Sequence, residues 1–130
     1  MYQLKKIIIA IAGPITNIMI AMIFYNNKEI QYTNILIAFF NLLPIYPLDG
    51  GRVLKAILHI LFGNWNAKNY INKISIISMT ILTIVLIKNN YANIPISLLI
   101  IYLWVLVINE RLKYKKQLNI YNLLKSIENN

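Results

Sequence analysis

Among 130 residues there is no cysteine, one histidine and one aspartate, and glycine and proline occur only four times each. The lack of cysteine excludes a disulfide framework and any thiolate metal site, and it leaves the redox compartment unread. Charged residues are scarce as well, 13% of the chain against about 25% in an average soluble domain. With 58% hydrophobic residues and a mean hydropathy of +0.58, the chain lacks the polar surface a soluble globule needs. The composition is that of a membrane protein, and the length fits one domain. Neither an internal repeat nor a phosphate-binding Gly-rich loop nor a nucleophile triad occurs.

What is present is four apolar blocks, Ile7 to Tyr25, Ile35 to Leu48, Ile74 to Leu86 and Ile94 to Ile108, separated by Asn, Lys and Gly. Only the first approaches the ~20 residues needed to cross a bilayer, and the others reach it by borrowing flanking Tyr, Thr, Ser and Asn. That shortness is the argument for a soluble helical core. Against it, no block carries a sustained polar stripe at helical period. The expected fold is therefore all-α, a polytopic transmembrane helical bundle of about four spans. Residues 1-108 form its membrane core and 109-130 a basic, amphipathic cytosolic tail with apolar positions at Leu112, Leu118, Tyr121, Leu123, Leu124 and Ile127.

The net charge of +9 would suggest nucleic acid in a soluble protein. Here the placement of the charges points to lipid instead, and no nucleic-acid partner is expected. Lys5 and Lys6 precede the first block, Lys28 follows it, and Arg52, Lys55, Lys68 and Lys73 separate the second from the third. Lys88 stands between the third and fourth, and Arg111, Lys113, Lys115, Lys116 and Lys125 follow. If all four blocks span, eleven basic residues share one side and two the other, so the rich side, with both termini, is cytosolic. An alternative is a signal peptide with Ala10 to Ala12 as the cleavage site. Cleavage there would leave a short apolar region while the pattern runs on to Phe24.

Two stretches carry more than an anchor needs. In the first block, Gly13 and Pro14 remove a side chain and a backbone donor, and Thr16 and Asn17 follow within a turn. Asn17 is either interhelical glue or part of a site. The second stretch, NLLPIYPLDGG at 41-51, holds the sole aspartate, Asp49, beside Pro44, Pro47, Gly50 and Gly51. Two prolines break the helical ladder, so the second span cannot run regularly to its end. Irregular backbone at membrane depth belongs where it is buried in protein or lines a wet cavity. Asp49 is then either a functional carboxylate or the N-cap of a helix beginning near Gly51 or Arg52.

AIAGPITNIMIA (10-21) together with NLLPIYPLDGGRVL (41-54) resembles the site-2 protease family of intramembrane zinc metalloproteases, especially the branch typified by the bacterial stage IV sporulation protein FB. The first stretch is similar to the family's GPxxN motif and the second to its NxxPxxxxDG motif, matched at Asn41, Pro44, Asp49 and Gly50. The resemblance covers residues 7 to about 62. It implies a multi-pass protein of the bacterial cell membrane that hydrolyses peptide bonds of membrane-tethered substrates. Asp49 would be one ligand of a catalytic zinc, Asn41 and Pro44 would shape the substrate wall, and Asn17 would lie on an adjacent helix, with Gly13, Pro14, Gly50 and Gly51 as structural parts of the motifs. In such an enzyme three protein ligands leave zinc an open position for water, whose pKa falls towards ~7, and a glutamate accepts its proton.

The chain departs from the family in one large respect: HExxH, which supplies two histidine ligands and the base, is absent. No catalytic residue is therefore expected in this chain and its zinc site is incomplete. His59 lies ten residues after Asp49, ~15 Å away if both share a helix, and reads as an interfacial residue. The HExxH span precedes GPxxN in the family, so Met1 is expected to be an internal methionine of a longer protein, or the missing span to sit on a separate chain. The alternative is a non-catalytic membrane protein that binds transmembrane segments through the retained groove. A third reading is electrostatic binding of anionic lipid through Arg111 to Lys116. Trp65, Tyr70, Tyr91 and Tyr102 suit interfacial anchors, Trp104 is deep enough to pack on another helix, and Ser75, Ser78, Thr80 and Thr83 suggest a small polar packing face.

Overall fold

A computed structural model describes residues 2–90 and 93–128. Tyr91, one of the expected anchors, falls outside them. The described residues form four helices and no strand: α1 (Tyr2–Ile23), α2 (Lys28–Asn41), α3 (Asp49–Lys88) and α4 (Ile94–Glu128). Three of them, α1, α3 and α4, are long and apolar enough to cross a membrane. Large apolar side chains such as Ile8, Met22, Ile77, Ile81, Leu98 and Ile101 point outward. An outer surface of that kind suits lipid and not water.

α1 packs through small residues. Ala10, Pro14 and Ala21 are its buried positions, and the half-buried Asn17 completes a stripe at spacings of four, three and four. Small side chains on such a stripe let helix backbones approach closely, which is how helices associate in lipid. Ala38 of α2 and Ala56 and Ala67 of α3 are buried in the same way. Within α1, Thr16 Oγ1 donates back to the Ala12 carbonyl at 2.8 Å.

A four-residue turn reverses the chain into α2, where Asn27 caps the helix by accepting the Ile30 N–H. α2 has 14 residues and is ~21 Å long, short of the ~30 Å hydrocarbon layer. The chain completes the return along α1 in two further pieces: an irregular segment, 42–48, and the first part of α3. The second span is thus broken by proline, as expected, and the break divides it into two helices.

The irregular segment is fully accounted for. Pro44 and Pro47 have no N–H to satisfy, and the Tyr46–Pro47 peptide bond is cis. Of the five remaining N–H groups, Leu42 donates to Ala38, Leu43 to Phe40, Ile45 to Leu43 and Leu48 to Ile45. Tyr46 N–H has no carbonyl in reach and donates to Ser75 Oγ at 2.9 Å. The side chain of Ile45 is wholly enclosed, with Met79, Leu103 and Val107 around it. The non-helical segment is thus anchored at Ile45 against α3 and α4 with its N–H groups paired, which is the condition for its survival in lipid.

α3 itself is interrupted at Gly63, whose φ of 79° and ψ of 170° lie in a region open essentially to glycine. The chain turns there, and residues 64–88 cross back as a 25-residue helix. The helix outruns its 13-residue apolar block because 64–73, ahead of it, are helical as well. α4 runs antiparallel to it. Trp104 Nε1 donates to Thr83 Oγ1 at 3.1 Å, and Lys68 Nζ donates to Gln117 Oε1 at 3.0 Å. Trp104 therefore does pack on a neighbouring helix, and Ser75 and Thr83 do face partners, while Thr80 is exposed and bonds its own helix at Ile76. Residues 109–128 are no separate helix but the uninterrupted end of α4, with Tyr114 and Tyr121 against Trp65.

Candidate functional site

Asp49 opens the first turn of α3, where a carboxylate is favoured by the N–H groups left free at a helix start. It is not the N-cap: that position is Leu48, which has no side-chain cap bond. The N-cap expectation is corrected by one residue because Leu48, in extended conformation, already closes the first turn by accepting the Arg52 N–H at 2.9 Å.

The carboxylate turns toward α1. A Cβ placed on Gly13 would stand 2.9 Å from Asp49 Oδ2, so the two motif stretches meet at this point. Gly13 is four residues before Asn17 and about 9 Å along α1 from Ile7, where the apolar block begins. Asp49 thus lies beside the apolar part of α1, because α2 stops early and the break carries the chain back against that helix. Arg52 Nη1 lies 3.9 Å from Asp49 Oδ1 on the next turn, with more than half of the Arg52 side chain exposed.

Gly50 and Gly51 are needed for close approach. A Cβ at Gly50 would strike the carbonyl of Leu42, and one at Gly51 the backbone of Ile45 and Tyr46. The irregular segment is folded back onto the first turn of α3, and only bare backbone leaves room. Asn41, the last residue of α2, and Pro44, inside the break, are half-buried beside this contact. Among the described residues the side chains of Asn17 and Asn41 make no hydrogen bond.

His59 and Asp49 lie on one unbroken helical stretch, so their separation is the ~15 Å that ten residues of rise impose. Among the described residues no three His, Cys, Asp or Glu side chains gather. One carboxylate with a guanidinium as its neighbour does not make a zinc site, so these residues by themselves do not fit the metal. Sequence reasoning missed two features here. Ser75 was visible only as part of a polar face, though it anchors the break. The contact between Gly13 and Asp49 joins residues 36 positions apart, and no periodicity reports such a pair.

The model of peptidase family M50 matches residues 29–85 of the chain. That stretch takes in Asn41, Pro44, Asp49 and the two glycines that follow it, and ends before α4. A zinc metalloprotease of Methanocaldococcus jannaschii is 35% identical over 69 residues, which cover 42% of this chain. The chain spans about a fifth of that relative's length, 20%. No solved structure matches it.

Proposed function

We propose that this chain supplies the carboxylate and substrate-lining part of an intramembrane metalloprotease of the site-2 type, acting on membrane-tethered proteins. The observation that carries the reading is the seat of Asp49. It is an ionisable group at a broken helix end, pressed against a bare glycine of a helix apolar enough to span, in the stretch similar to peptidase family M50. Such a residue is a functional candidate by default. Asp49 serves as one metal ligand. Asn41, Pro44 and Asn17 line the substrate path, the half-buried amides of Asn41 and Asn17 being at hand for an extended peptide backbone. The remaining ligands and the base come from an HExxH segment, encoded upstream or on a separate chain. The order and spacing of the two motifs favour the branch of the stage IV sporulation protein FB. The basic side, with both termini, faces the cytosol of a bacterial cell, and residues 109–130 extend into it.

The test is to express the chain together with an HExxH-bearing segment, either the upstream reading frame or the corresponding part of a relative, and to measure cleavage of a membrane-tethered reporter. Cleavage that disappears with Asp49→Ala supports the proposal. Cleavage that survives Asp49→Ala overturns it. A second reading, favoured by the unbonded Asn17 and Asn41, is a non-catalytic binder of transmembrane segments. It expects the reporter to be captured but not cut, and capture to persist in Asp49→Ala.

A further inference from the structure

At the end of the bundle that carries Lys5 and Lys6, α1 and the two parts of α3 enclose a cavity of about 310 Å³ that Asp49 does not line. Its wall holds four nitrogen-bearing cationic or titratable side chains, Lys6, Arg52, Lys55 and His59, with Gln3 and Asn64 as further donors. No carboxylate is among the lining residues. Asp49, just outside the wall, lies 3.9 Å from its Arg52, and Glu110, in the neighbouring cavity that Lys55 also lines, holds Lys113 at 2.9 Å, which leaves the wall with at most one acidic partner. Both lysines of the wall are held by aromatic faces, Lys55 over Tyr46 at 4.0 Å and Lys6 over Tyr2 at 4.4 Å. Ile9, which also lines the cavity, is largely exposed on the outer side of α1, so apolar surface suited to lipid adjoins the hollow.

We infer that this cavity binds a phosphate group, and that its source is the headgroup of an anionic phospholipid. Gathering this much positive charge around one hollow is unfavourable unless an anion is there to share it, because like charges held close repel. Ammonium- and guanidinium-bearing side chains line the same hollow, and both are phosphate-binding chemistries. The hollow stands at the end of an apolar bundle with apolar surface beside it, which places a lipid's phosphate at the cations and its acyl chains along α1. Basic pockets between spanning helices bind lipid headgroups on these terms. The inference does not depend on the protease reading, because Asp49 does not line the cavity and the test turns on Lys6 and Lys55.

The experiment uses the full chain in nanodiscs of phosphatidylcholine with and without phosphatidylglycerol, followed by native mass spectrometry after transfer to detergent. The expected result is one phosphatidylglycerol retained in preference to phosphatidylcholine. Lys6→Gln with Lys55→Gln should lower that retention roughly tenfold. Lys115→Gln with Lys116→Gln, an equal loss of charge on the tail, should leave it within about twofold of the unsubstituted chain. Equal loss in both pairs, or no selective retention, overturns the inference. Binding of inorganic phosphate that depends on Lys6 and Lys55, without lipid retention, would keep the anion site but overturn the lipid as its source. Should the cavity pair lose helicity, photo-crosslinking of phosphatidylglycerol to the unsubstituted chain decides. Adducts within 3–10 and 52–64 support the site, and adducts confined to 111–125 refute it.

Discussion

Asp49 and Gly13 touch: the carboxylate on the first turn of α3 fills the space that a side chain on α1 would occupy, with Oδ2 2.9 Å from where a Cβ would stand. The two residues belong to different motif stretches and different helices. Their contact makes one site of two patterns that sequence could only set in order.

Replacing Gly13 by Ala separates stability from function. In a helix interior the change gains about 0.8–1 kcal/mol of propensity, and the atom in the way is the far end of a side chain that can rotate. Gly13→Ala is therefore expected to melt in detergent within about 1 kcal/mol of the parent. If the proposed function holds, it should abolish reporter cleavage in the co-expression test, because the carboxylate must leave its seat. A fully active Gly13→Ala variant would show that the contact is incidental.

Gly50 and Gly51 behave differently, because the obstacle is backbone. Alanine at either position drives a methyl into residues 42–46, so the segment must shift as a whole. A loss of about 1–3 kcal/mol is expected from overpacking, readable as a lower melting temperature. Gly63→Ala meets no neighbour, and its cost, of order 1–3 kcal/mol, comes from backbone strain alone. Small effects at both 50 and 51 would contradict the close approach described above.

Ser75→Ala leaves the Tyr46 N–H without a partner inside the bundle. An orphaned buried donor costs about 1–3 kcal/mol. Trp104→Phe breaks one interhelical bond to Thr83, for which about 0.6–2 kcal/mol is typical in lipid. Thermal unfolding should rank Ser75→Ala as the greater loss, and faster proteolysis within 42–48 should accompany it. Equal melting temperatures for Ser75→Ala and the parent would remove Ser75 as the anchor of the break.

The absence of cysteine makes the topology directly measurable. Single cysteines at Asn26 and Asn89, at one end of the bundle, should react with a membrane-impermeant maleimide from one face. Those at Asn66 and Asn119 should react from the other. Labelling of Asn26→Cys and Asn66→Cys from the same side would mean that α2, the break and the start of α3 do not together cross the bilayer.

Much of this was readable beforehand. Helical class and membrane setting follow from composition, since hydrophobic content and scarce charge act through sums that need no coordinates. Broken geometry at 42–48 followed from Pro44 and Pro47, whose effect on the backbone is local. Less legible were the lengths: α3 and α4 outrun their apolar blocks, because the polar ends 64–73 and 109–128 pair with one another through Trp65, Lys68, Tyr114 and Gln117. The role of Asp49 as a cap, equally open on residue preference, was decided by a hydrogen bond from Arg52 to Leu48.

The sequence by itself determined that the chain is helical, that it belongs in lipid, that one carboxylate stands at a proline-broken helix end, and that positive charge gathers on one side. Those properties arise from residue type and near neighbours along the chain. Only the folded arrangement decided that Asp49 rests on Gly13, that Ser75 holds the break from 29 residues away, and that Lys6 meets Lys55 and His59 around one hollow. Each of these joins distant residues through close packing, and which surfaces pack is settled by where small side chains let two backbones approach.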